Sequence, residues 1–190
     1  MKFFMISFFI FLLYTLLGCT VSNKIYKENE RVVTGKFSEV QAMAIRSFLI
    51  NDTKVDLTDT IIIKYDYNND QCWTMLDNND DAYITKVLTS HQSRMEKRKT
   101  QRNNISIFEY REQGNDFSKY KYRDTNIRID STGKLSTYIF NDRAICGTSI
   151  LILPSNEYIM IRSDSHFEIL DFSPKKINEL LQQKINYYKL

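Results

Sequence analysis

Glycine, proline and histidine are scarce in this sequence, with five, two and two residues among 190. This scarcity excludes several kinds of active site. There is no Gly-x-Ser-x-Gly turn for a nucleophilic serine and no glycine-rich loop for a phosphate. The two histidines, His91 and His166, stand far apart and lack the His-Glu-x-x-His spacing of a zinc site. The sequence therefore predicts no metal site and no cofactor.

An excess of charge of one sign is also lacking, since 26 Lys and Arg face 23 Asp and Glu, for a net charge of +3. A balance this close predicts no binding to nucleic acid. The acidic residues between positions 66 and 81 lack the glycine and the final glutamate of a calcium loop, which favours a solvated loop. The basic residues at 94–102 favour a solvated helix end over contact with anionic headgroups.

Long apolar runs are limited to the N-terminus. Lys2 precedes residues 3–17, which are almost entirely apolar but too few to cross a bilayer stably. The run ends in Leu16-Leu17-Gly18-Cys19, which resembles the lipobox of bacterial lipoproteins. The resemblance implies cleavage before Cys19 and lipid on its sulfur and amino group. A non-lipidated secretory signal or an uncleaved membrane anchor is the alternative.

Lipidation of Cys19 implies that the protein is held in the cell envelope by its acyl chains. Thr20 follows the cysteine, where Asp often retains lipoproteins at the inner membrane. If the envelope is Gram-negative, this implies the periplasmic face of the outer membrane. The predicted division is a signal peptide at 1–18, the lipidated Cys19 with a tether to residue 36, and one domain at 37–190. The 172 residues left after cleavage are enough for a sizeable core.

Apolar periodicity predicts alternating helices and strands. A helix at 37–50 would carry Phe37, Val40, Ala44 and Phe48 on one stripe. Another helix follows from Ile84 to Met95, and Ser173-Pro174 begins a last one. Strands are predicted at 60–67, 105–110, 126–130, 150–153 and 157–162. After Ser131, the sequence predicts either a short helix through Leu135 or a hairpin at Thr132-Gly133.

Two cysteines remain besides Cys19, namely Cys72 and Cys146. In an exported protein they are a candidate disulfide or redox pair, although two separate thiols are an alternative. The spacing of 74 positions between them does not show that they meet.

The stretch Cys146-Gly147-Thr148-Ser149, with the apolar strand and hairpin after it, resembles part of the thioredoxin-like fold. The order of elements from residue 60 to 185 is similar to the version of that fold with an inserted strand–helix unit. The resemblance implies an α/β domain with a central mixed sheet flanked by helices. Two positions depart from the family pattern. Met75 replaces the second cysteine of Cys-x-x-Cys after Cys72, and Ser149 replaces the family's cis-proline.

The resemblance also implies that Cys146 lies near Cys72. A structural disulfide is favoured over a catalytic pair, and such a bridge would close a loop of about 75 residues and stabilise the fold by about 4 kcal/mol. The resulting hypothesis is an envelope lipoprotein with an accessory or binding role and a protein or peptide partner. The alternative is a thiol–disulfide oxidoreductase in which Cys72 attacks and Cys146 resolves.

A third hypothesis is an unrelated α/β lipoprotein with a structural role. It would follow if residues 61–63 and 150–153 were not neighbouring strands. Neither histidine is expected to act as a catalyst. His91 is expected to be partly buried with a partner, and His166 to lie at the surface.

Overall fold

The computed structural model describes residues 30–67, 79–102, 104–114, 127–163 and 166–187. Strands and helices alternate along these ranges. In chain order they are β1 (Val32–Lys36), α1 (Glu39–Thr53), β2 (Thr60–Asp66), α2 (Asp81–Gln101), β3 (Ile105–Glu112), β4 (Arg128–Asp130), α3 (Lys134–Tyr138), β5 (Thr148–Ile152), β6 (Glu157–Arg162), a 3₁₀ helix (His166–Asp171) and α4 (Pro174–Tyr187). The strands and helices predicted from residue 60 onward are confirmed.

The strands of the described residues form one six-stranded sheet in the order β1-β6-β5-β2-β3-β4. The sheet is mixed, because β2, β3 and β4 run parallel while β5, β6 and β1 pair antiparallel. β2 lies between β3 and β5, and Ile61, Ile62 and Ile63 are completely buried. Strands that are covered on both faces are typically apolar throughout. Because Ile61 pairs with Ile152, the condition for the third hypothesis is not met.

Helices cover both faces of the sheet. One face packs against α1 and α3 through a core that includes Ile45, Leu49 and Leu135. The other face packs against α2, the 3₁₀ helix and α4 through a core that includes Met95, Leu170 and Leu180. Because both cores share one sheet, the described residues form a single α/β domain with a mixed sheet flanked by helices.

The first helix is confirmed, and of its predicted apolar stripe Phe37 and Phe48 pack against the core while Val40 does not. Ser38 accepts a hydrogen bond from the backbone N–H of Gln41, whose side chain in turn accepts from the Ser38 N–H, and this capping box sets where the helix begins. The buried residues are Ala42, Ile45, Leu49 and Thr53. Val40, a member of the predicted stripe, is 73% exposed.

The predicted tether to residue 36 overlaps β1, so that part of the prediction is wrong. Val32 pairs with Ile161 and Lys36 with Glu157 along the edge of the sheet. Short edge strands carry a weak sequence signal because one side of them makes no ladder. The domain therefore begins before residue 37.

The short helix predicted after Ser131 is confirmed, although Gly133, with a φ of 64°, takes the N-cap position. The turn at Pro154-Ser155-Asn156 joins two antiparallel strands, β5 and β6. No helix in the described part of the chain is long and apolar enough to cross a membrane.

Candidate functional site

The carboxyl ends of β2 and β3 meet the beginning of β5 at one edge of the sheet. Cys146 lies directly before β5 at this edge. In open α/β sheets, ligands and reactive groups commonly lie beyond the carboxyl ends of parallel strands. This edge is therefore the first place to examine for a functional site.

The loop that carries Cys146 is tightly held. Cys146 is disulfide-bonded, buried to 9% exposure and left-handed in its backbone, with a φ of 66°. Gly147 follows with a φ of 94°, and a Cβ added there would lie 2.7 Å from both the Nε2 atom of His166 and the carbonyl oxygen of Tyr65. The Gly147 carbonyl accepts a 2.9 Å hydrogen bond from the N–H of Ser163. Only glycine fits this position without displacing its neighbours.

A chain of buried polar side chains lies beside this loop. Ser149 on β5 and His166 on the 3₁₀ helix are joined by a 2.7 Å hydrogen bond between Oγ and Nδ1. The Nε2 atom of His166 lies 3.5 Å from Asp66, which accepts a 2.5 Å hydrogen bond from Lys64. All four residues are at most 3% exposed. We call Lys64, Asp66, Ser149 and His166 the buried polar chain.

The strand pattern explains why these side chains meet. Ile62, Lys64 and Asp66 occupy every second position of β2. Their side chains therefore share the face covered by α2 and the 3₁₀ helix. Ser149 is the register partner of Lys64 on β5, so its side chain lies on the same face. The 3₁₀ helix packs against β5 and β2 and brings His166 over them. The expectation that His166 lies at the surface is therefore wrong, since it is 2% exposed.

Asp66 is held as a carboxylate. Burial alone would raise its pKa, but the charge of the Lys64 ammonium and the hydrogen bond from His166 hold it well below the usual range. An ionised carboxylate only accepts hydrogen bonds, so the Nε2 atom of His166 must carry a proton. In the neutral ring, Nδ1 then accepts a hydrogen bond from the Ser149 hydroxyl.

Serine, histidine and aspartate are also the side chains of a hydrolase triad. A nucleophilic serine must be reached by the carbonyl of its substrate. Ser149 is completely buried within the sheet, and Asp66 is paired with Lys64 rather than reserved for the histidine. The arrangement can hold the 3₁₀ helix against the sheet, but it does not present a nucleophile.

A second buried carboxylate lies next to the buried polar chain. Glu109 on β3 is the register partner of Lys64. Lys99 Nζ lies 3.2 Å from its Oε1 atom, and His91 Nε2 lies 3.4 Å from its Oε2 atom. Burial would raise the pKa of Glu109, but the hydrogen bond from His91 and the charges of Lys64 and Lys99 lower it. His91 is partly buried with a partner, as predicted.

The predicted site residues are only partly within the described structure. Cys146 is described, whereas Cys72, Met75 and Cys19 lie outside the described residues. The chain has three cysteines, so the disulfide partner of Cys146 is Cys72 or Cys19. Sequence patterns missed the buried polar chain, although the charged residues at alternate positions of an apolar strand, Lys64 and Asp66, were a signal for it.

No three His, Cys, Asp or Glu side chains of the described residues come together as metal ligands. No protein-family model, curated protein or solved structure matches the chain.

Proposed function

We propose that this chain is a bacterial lipoprotein, anchored in the cell envelope through Cys19, whose degenerate thioredoxin-like domain has an accessory or binding role. The sequence Leu16-Leu17-Gly18-Cys19 supports the anchor. The strand order β6-β5-β2-β3 supports the fold, because β3 is parallel to β2 while β5 and β6 are antiparallel neighbours. β4 and α3 correspond to the inserted strand–helix unit.

The observation that carries the proposal is the state of Cys146, which is disulfide-bonded and buried in a tightly held loop. Thiol–disulfide exchange requires a thiolate to reach one of the two sulfur atoms. Burial of Cys146 and the packing of Gly147 against His166 oppose such an approach. These features favour a structural bridge.

The anchor and the bridge together specify the disulfide partner. A cysteine whose sulfur carries a thioether-linked lipid has no thiol left for a disulfide. If Cys19 is lipidated, Cys72 is the remaining partner for Cys146. The bridge would then close a loop of about 75 residues and contribute about 4 kcal/mol.

A surface on the opposite face of the sheet supports a binding role. Val40 and Met43 on α1 are 73% and 62% exposed, and Ile50 and Tyr138 are also exposed. A groove of about 400 Å³ runs beside them between α1 and α3 and includes Phe48 in its lining. Exposed apolar side chains gathered in this way are typical of interaction surfaces, here for an envelope protein or peptide.

A redox titration tests this proposal. The mature protein is equilibrated with glutathione and then dithiothreitol buffers of decreasing potential, and free thiols are trapped and counted. We expect Cys146 to stay oxidised until the potential falls below about −300 mV, which is typical of structural disulfides in secreted proteins. Rapid exchange at a potential between about −180 and −120 mV, the range typical of oxidising enzymes, would overturn the proposal.

The second candidate function is thiol–disulfide exchange, and the buried polar chain beside Cys146 favours it. In that mechanism, the Cys72 thiolate attacks a substrate disulfide and releases one substrate thiolate. The Cys146 thiolate then attacks the Cys72 sulfur and releases the second. Two electrons pass to the substrate, and an external dithiol must restore the protein thiols. His166 of the buried polar chain packs against Gly147, the residue after Cys146.

A further inference from the structure

The outward face of α2 carries three cations without an acidic partner in the described part of the chain. Lys86, Arg94 and Lys97 are all exposed. The guanidinium of Arg94 donates a hydrogen bond to the backbone carbonyl of Ser90, on the same helix. Cations that lack an internal partner are available for a partner outside the domain.

The other cations of this basic stretch are occupied. Arg98 makes two hydrogen bonds to Asp171, of 3.0 and 2.6 Å. Lys99 pairs with Glu96 and Glu109, and Arg102 donates to the carbonyl of Phe172. These contacts fasten α2 to the rest of the domain. The structure thus divides the cations of α2 and its C-cap into an inner structural set and an outer free set.

The free cations lie on one stripe of the helix. Residues three, four, seven and eleven apart share a helix face, and positions 83, 86, 90, 94 and 97 follow this spacing. The buried residues Ile84 and Met95 lie on the opposite side. Tyr83 is 49% exposed and begins the stripe.

Hydroxyl groups complete this surface. Lys86, Thr89, Ser90, Ser93, Arg94 and Lys97 line an open, shallow groove of about 600 Å³. Ammonium and guanidinium groups with hydroxyls between them complement the oxygens of phosphate groups. Tyr is also enriched where a protein meets the headgroup layer of a membrane.

We propose that this stripe lies against anionic phospholipid headgroups of the membrane that holds the lipid anchor. The inference rests on the proposed function, because the anchor brings the domain to that membrane. The ten residues between Cys19 and Glu30 span at most about 36 Å, so the domain stays close to the lipid surface. An open groove suits a flat array of headgroups better than one enclosed small molecule.

The test measures lysine reactivity in the anchored protein. Full-length mature protein is placed in phosphatidylcholine vesicles or in vesicles of equal parts phosphatidylcholine and phosphatidylglycerol, and is treated with a water-soluble amine reagent. We expect Lys86 and Lys97 to react about fivefold more slowly on the anionic vesicles, with recovery at high salt. Lys54 and Lys134, on elements at the other face of the sheet, serve as internal controls and should not change. If none of the four lysines changes its reactivity between the two vesicle types, the proposal is overturned.

A pair of matched variants adds a second readout. In the wild type, amide hydrogen exchange of α2 should be slower on the anionic vesicles than on the phosphatidylcholine vesicles. Replacement of Lys86, Arg94 and Lys97 by Gln should abolish this difference. Replacement of Lys36, Lys54 and Lys134 by Gln removes the same charge and should preserve it. Loss of the difference in both variants would show a general effect of net charge and contradict the stripe.

The intact mass of the same preparation separates this inference from the proposed function. A mass without acyl chains would refute the anchor. The unlipidated chain is then floated with each vesicle type, and the stripe alone should cause binding to anionic vesicles that falls on the order of 100-fold in the Lys86, Arg94 and Lys97 variant. Absence of such binding would refute the stripe as well.

Discussion

Replacement of Lys64 by Met should destabilise the domain strongly, because it leaves the Asp66 carboxylate buried without its counterion. Lys64 Nζ lies 2.5 Å from Asp66 Oδ2, and both side chains are at most 4% exposed. With an effective dielectric constant of about 20, the attraction across this distance is roughly 7 kcal/mol before desolvation is subtracted. Breaking one side of a buried pair commonly costs about 3–5 kcal/mol. We expect a loss in that range at neutral pH.

The double variant Lys64→Met/Asp66→Asn is the matched control. It removes both charges, keeps the shape of the Asp66 side chain and retains a hydrogen-bonding group for His166. The free energy of unfolding is measured by urea denaturation followed by circular dichroism. We expect the double variant to recover about 2 kcal/mol or more of the loss. A single variant that costs less than about 1 kcal/mol, or a double variant as unstable as the single one, would refute the reasoning.

The pH dependence of the same variants gives an independent check. The pKa of Asp66 is lowered in the folded protein, so its ionisation stabilises the wild type above about pH 4, and this stabilisation is lost as the pH falls further. In the Lys64→Met variant, burial is no longer opposed by the ammonium, and the pKa of Asp66 should rise. The difference in the free energy of unfolding between variant and wild type should therefore shrink as the pH falls from about 7 to about 5. Urea unfolding at both pH values measures it.

Three further substitutions test other parts of the structure. Gly147→Ala should lower the free energy of unfolding by about 1–3 kcal/mol, because the φ is 94° and the added Cβ would meet His166. Gly133→Ala should cost less, because its Cβ would meet one atom at 3.5 Å. Thermal unfolding measures both variants, and equal costs would contradict the packing at Gly147. Ile45→Ala should cost about 2–5 kcal/mol and Val40→Ala less than about 0.5 kcal/mol in urea unfolding, and equal costs would contradict the observed burial of α1. Cys146→Ser should cost about 4 kcal/mol by the same measurement, and a cost near zero would show that the bridge does not stabilise the fold.

The central strands could be predicted because their signal is local. Residues 61–63 and 150–152 are continuously apolar and rich in isoleucine, and strands buried on both faces have this composition. The helix from Asp81 to Gln101 was equally predictable, since Ile84 and Met95 follow helical spacing. Order and type of these elements followed from such patterns alone, whereas β1 and the 3₁₀ helix were not predicted.

The errors concern features that depend on distant contacts. Val40 and Met43 are apolar, yet α1 turns Ile45 and Leu49 toward the sheet, and only the packing of the whole domain decides which side is buried. His166 follows polar residues typical of a turn, but the 3₁₀ helix places it over Ser149 and Asp66. Contacts between residues 66, 149 and 166 cannot be obtained from any local window of the sequence.

Peptide mapping of the mature protein by mass spectrometry, without reductant, identifies the disulfide partner of Cys146 and the state of Cys19 in one experiment. We expect one disulfide-linked peptide pair that contains Cys72 and Cys146, together with an N-terminal peptide in which Cys19 carries acyl chains. A bond between Cys146 and Cys19, or a free thiol at Cys146 with an unmodified Cys19, would contradict this expectation.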